Sequence, residues 1–149
     1  MAGSLDVQIT GAREVTALLR GMTRRTQDMS PALREAAQHI RREWTEAFNT
    51  AGRNLPRPWR PLSSATSEAK HERGYDPRVL VRRGDLMQSL TQRGHARHVE
   101  SVSPGELRIG TRSPVVPLLR HHGRDPVQPP QDMGPIARIL ERWIVDGKA

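Results

Sequence analysis

The chain contains no cysteine, which excludes a disulfide framework, a thiolate metal site and a cysteine nucleophile. That suits assembly in a reducing cytoplasm. Aromatic residues are almost as scarce: Trp44, Phe48, Trp59, Tyr75 and Trp143 are the whole set. A core must therefore be built from Leu, Ile, Val, Met and Ala, with the three tryptophans as its largest pieces, and a core so thin gains from partners. No apolar run approaches the ~18 residues of a membrane helix. The opening Met-Ala-Gly-Ser-Leu-Asp lacks the basic and apolar regions of a signal peptide. A soluble, non-exported protein without a membrane partner is expected. Lysine is confined to Lys70 and Lys148, so arginine carries nearly all of the positive charge.

What is present fits one domain spanning residues 1–149, a length that buries roughly 68–70% of the unfolded chain's surface. The net charge is +8, and it is uneven. Residues 53–98 carry ten Lys or Arg against four acids, whereas residues 1–52 carry seven against six. A basic middle suits either nucleic acid or an acidic protein partner.

Hydrophobic periodicity gives the element order. Leu5, Val7 and Ile9 alternate with polar residues, the pattern of a half-buried strand, and Gly11 ends it. Val15, Leu18, Leu19 and Met22 mark one face of a helix from about Ala12 to Asp28. Ser30-Pro31 starts a second helix, whose stripe runs through Ala36, Ile40, Trp44 and Phe48 to a stop at Ala51-Gly52. The prolines after Asn54 require an extended connection near 53–62. Ser63 or Ser64 then caps a short polar helix through Lys70, with almost no apolar face and reliant on Trp59 and Leu62 for anchorage. Leu86, Met87 and Leu90 suggest another short helix. Val99–Val102 and Leu107–Thr111 read as hairpin arms joined around Ser103-Pro104-Gly105, and this pair could add to the N-terminal strand. Ser113-Pro114 starts a short helix that Pro117 limits and His121-His122-Gly123 ends. A second extended connection covers 123–132. Pro135 opens a final helix with Ile136, Ile139, Leu140, Trp143 and Ile144 on one face. The expected class is α+β, with two N-terminal helices and a C-terminal helix packed with a small antiparallel sheet.

Catalytic constellations are not apparent. His95 and His98 have an H-x-x-H spacing, but they lie in a polar stretch that reads as solvated, and a zinc site needs three or four ligands. Asp76, Asp85 and Glu100 stand singly among arginines, so ion pairing explains them better than acid–base chemistry. Ser63, Ser64, Ser67 and Ser89 lack a nucleophile elbow; capping and surface hydrogen bonds account for them. No cofactor or metal is expected. Arg82, Arg83, Arg93 and Arg97 form the densest positive segment. They suit salt-sensitive, sequence-nonspecific phosphate contacts or an acidic protein surface. With so few aromatics, a base-stacking platform is excluded.

Residue order is more informative than composition. Trp59, Pro61, Leu62, Thr66, Lys70, Leu80, Gly84, Leu86 and Ser89 are followed by Gly110, His122, Gly123, Pro129 and Pro130. This ordered set resembles the phage virion morphogenesis family, the tail completion proteins of Mu-like and related tailed phages. Pro114-Val115-Val116 stands where that family usually has Tyr-Ala. The resemblance implies a non-enzymatic virion component, made in the host cytoplasm, that completes the tail or joins it to the head at the neck. It further implies a homo-oligomeric ring beside head-closure and tail-terminator type proteins, with packaged DNA nearby. In that reading Trp44, Phe48, Trp59, Leu62 and Trp143 are structural anchors. The alternative is a nonspecific nucleic-acid-binding protein; a small metal-dependent nuclease ranks third.

Overall fold

A computed structural model describes residues 11–149; the strand expected over Leu5–Ile9 lies outside them. The described chain is α+β, with six helices and one two-stranded antiparallel sheet. Helix α1 covers Ala12–Gln27 and α2 covers Ser30–Thr50. Pro31 occupies the first turn of α2, where its missing N–H costs nothing. The helix ends with Ala51 and Gly52 both at positive φ, 55° and 74°. Gly52 is required there for a second reason. A Cβ on it would meet the Trp59 ring at 2.9 Å.

Helix α3, Ser64–Glu72, is capped by the Ser63 hydroxyl accepting from the Thr66 amide at 3.2 Å. None of its residues is buried, in line with its lack of an apolar stripe. Helix α4 is Asp85–Thr91, and β1, His98–Ser103, pairs with β2, Glu106–Thr111. Helix α5, Val116–His121, begins later than Ser113-Pro114 implies. Pro117 falls in its first turn, where it is tolerated, and Ser113 is buried ahead of the helix instead of capping it. Helix α6 is Gly134–Asp146, closed by Gly147 at φ 69°.

Helix α2 is the centre of the packing, touching α4, α6 and both strands. Trp44, Phe48, Trp59, Leu55, Val81 and Leu90 form the heart of the core. Trp59 stands edge-on to Phe48, ring centroids 5.0 Å apart. Leu62 is half-buried against this cluster. Helix α1, by contrast, contacts only α6 among the described elements. Trp143 of α6 fixes that contact by donating to the backbone oxygens of Arg25 and Asp28, at 3.2 and 3.0 Å. Arg25 returns the contact to the carbonyls of Ile144 and Val145.

The two proline-rich connections are bound to each other. The Gln128 side chain, 2% exposed, donates to the carbonyls of Arg57 and Asp125 and accepts from the Arg57 amide. Trp59 Nε1 donates to Asp125 O and Trp44 Nε1 to Gln128 O, each at 2.8 Å. Arg124 donates to the carbonyls of Arg60 and Pro61. Segments that lack a ladder of their own thus satisfy buried backbone groups through the side chains of Gln128 and Arg124 and two indoles.

Candidate functional site

The loop between α3 and α4 is shaped by Lys70. Its ammonium donates to the carbonyls of Arg78 and Val81, both at 2.6 Å. Burial pushes the Lys70 pKa down, partly offset by Asp76. Between those two carbonyls Leu80 sits at φ 61°, a left-handed conformation costly for a branched side chain. Charge-assisted hydrogen bonds of this kind are worth roughly 1.5–3 kcal/mol each. Replacing Lys70 by Met removes both bonds and is therefore expected to cost about 3 kcal/mol and to speed backbone amide exchange across 78–83, as measured by denaturation and hydrogen exchange. Unchanged exchange there would contradict the clasp.

Gly84, Leu86 and Ser89 acquire a physical account. Gly84, at φ 86°, turns the chain into α4; Leu86 is buried, and Ser89 is fully buried. The Ser89 hydroxyl donates to Leu86 O at 2.7 Å and accepts from Thr111 Oγ1 at 2.8 Å. It joins α4 to the hairpin, which corrects its assignment to surface hydrogen bonding. His98 likewise is not solvated: its side chain is 2% exposed, its Nδ1 lies 2.9 Å from Ser89 O, and its Nε2 lies 3.1 Å from Glu100. Glu100 also pairs with Arg41 of α2 and, at 3.3 Å, with Arg93. Burial raises the Glu100 pKa, but His98, Arg41 and Arg93 together outweigh it, so the carboxyl is held below its ordinary value.

The four arginines of the basic segment divide into two pairs. Arg93 is on Glu100, and Arg97 donates to Asp85 at 2.8 Å, beside His95 at 3.2 Å from the same carboxylate. Arg82 and Arg83 have no carboxylate partner among the described residues; Arg82 lies over the Tyr75 ring, 4.8 Å from its centroid, and donates to the hydroxyl. Both cations hold the Tyr75 phenol below its usual pKa through hydrogen bonds. Asp76 is paired with Arg78 at 2.7 Å. All three acids are ion-paired as expected, but only Asp76 takes an arginine beside it in sequence; Asp85 takes Arg97, and Glu100 takes Arg93 and the distant Arg41. His95 and His98 do not converge with a third ligand, and no group of three metal-binding side chains occurs among the described residues.

Arg82 and Arg83 border a groove of about 640 Å³ between α3, the 75–83 loop, α4 and α5. A second apolar surface is the outer face of α1, where Val15, Leu18 and Leu19 are 56%, 53% and 55% exposed. No described helix is long and apolar enough to cross a membrane. Sequence periodicity identified the α1 stripe but carried no sign that it would remain uncovered.

The described residues thus form a small, basic α+β domain with two apolar surfaces open to solvent, the groove beside Arg82 and Arg83 and the outer face of α1. The model of the phage virion morphogenesis family matches residues 11–115, and the chain belongs to that family. No curated protein and no solved structure matches the chain. The family is a structural kind, not known as enzymatic, so the role is phage structure or morphogenesis in association with the virion.

Proposed function

We propose that this protein completes the phage tail or joins it to the head at the neck, and that it does so as a ring of several copies. The observation that carries the oligomeric part is the α1 stripe. Half of three large aliphatic side chains faces water on a helix that, among the described helices and strands, contacts only α6. Covering those halves contributes roughly 3 kcal/mol in total, a term that a neighbouring copy would supply at each interface of a closed ring. Family membership supplies the setting, and head-closure and tail-terminator type proteins are the neighbours of such a ring.

The double variant Leu18→Glu/Leu19→Glu tests this. Because both side chains are exposed, the isolated fold should keep its helical content and its Tm within about 2 °C. Association in sedimentation and incorporation into particles should both be lost. A variant that enters particles as efficiently as the parent contradicts the assignment of α1. The nucleic-acid reading has less support. Of the four arginines that suggested it, Arg93 and Arg97 already hold carboxylates.

A further inference from the structure

The groove behind Arg82 and Arg83 has a composition that selects among partners. Leu62, Leu80, Leu86, Val115, Leu118 and Leu119 supply its apolar surface. Val115 and Leu118 are 43% and 59% exposed, so this surface is open to a ligand. The strained backbone of Leu80, clasped by Lys70, lies in the same wall. Around it stand Arg73, Arg82 and Arg83, none with a carboxylate partner among the described residues. Asp85 is the acid that lines the groove, and Arg97 and His95 occupy it. Tyr75 holds Arg82 at the edge, with its charge turned to no carboxylate among the described residues.

We propose that the groove is a docking site for an acidic segment of a different protein, one whose aliphatic or aromatic side chain fills the apolar wall while its carboxylates meet Arg73, Arg82 and Arg83. The proposal rests on the reading that this chain docks to other proteins during virion assembly. Charge complementarity and apolar area favour this occupant together. A nucleic-acid backbone would satisfy the guanidinium groups but leave Val115 and Leu118 in water. A second copy, from a chain of net charge +8, brings no excess of carboxylates to meet these three guanidinium groups.

The test is a photo-crosslinking residue, benzoylphenylalanine, placed at Leu118 of the full chain during phage assembly. Leu118 is exposed enough to accept it. Linked peptides are sequenced by mass spectrometry from purified particles and, in parallel, from infected cells. The expected product joins Leu118 to a segment of another phage protein in which acidic residues flank a Leu, Ile, Phe or Trp. Its yield should fall about tenfold or more in the Arg82→Glu/Arg83→Glu background. A link to DNA, to another copy, or to a basic or uncharged segment overturns the proposal, as does no link or a yield insensitive to charge reversal. If particles lack the protein, the neck reading fails, while the crosslink from cells still decides the groove by the same criteria.

Discussion

Trp59→Ala is expected to destabilise the protein by about 4 kcal/mol, within the range for removing a large aromatic from a core. The ring is 3% exposed, packs edge-on to Phe48 and lies against the backbone of Gly52. Its indole N–H also donates to Asp125 O, so truncation opens a cavity and removes one of the two side-chain hydrogen bonds which that carbonyl accepts between the proline-rich segments. Denaturant unfolding should show the loss, and virion incorporation should fall with it. His95→Ala is the comparison, because His95 meets only the already paired Asp85 and the local backbone. Its effect should stay below about 1 kcal/mol. Equal losses for the two variants would contradict the anchoring role of Trp59.

Glu100→Gln is expected to cost roughly 3 kcal/mol at neutral pH, the scale for breaking a buried ion pair from one side. Glu100 and Arg41 are 10% and 15% exposed at their side chains, and Glu100 joins β1 to α2 through that pair. Removing the charge leaves Arg41 and the His98 ring facing a neutral amide. The pH dependence has a definite sign. The folded carboxyl titrates below its ordinary value of 4.5, so its contribution is fully present above that value and is lost as pH falls through the folded one. The parent should therefore lose stability steeply on acidification below about pH 4.5. The variant should start lower and show a shallower decline. Parallel curves for the two would remove Glu100 from the account.

The sequence revealed the elements that rest on periodicity or caps. The α2 stripe and the hairpin around Pro104-Gly105 appear where residue spacing puts them, Ser63 is the one of the two candidate serines that caps α3, and α6 starts at Gly134, one residue before Pro135. Trp44, Phe48 and Trp59 are buried as their size and scarcity imply. What stayed hidden depends on residues distant in sequence meeting through single polar groups. Nothing around Gln128 signals that its amide would be buried among the carbonyls of residues 57 and 125. His98 sits in a stretch of arginines and glycine, so its burial becomes visible only when α4 brings Ser89 against it. Leu55, a single apolar residue among prolines, has no period to mark it, yet it is 1% exposed. The basic segment was legible as charge. Its division into paired Arg93 and Arg97 and unpaired Arg82 and Arg83 was not, because pairing is fixed by the turn of the chain between α4 and β1.

In the proposed function, apolar area that the described residues leave open on α1 and in the Arg82–Arg83 groove is what other virion subunits cover. Imaging purified virions and locating this protein's density tests that claim most directly. The account predicts a ring of several copies between head and tail, with α1 of each copy covered by its neighbour. Absence from particles, or density elsewhere with the α1 stripe facing solvent, would contradict it.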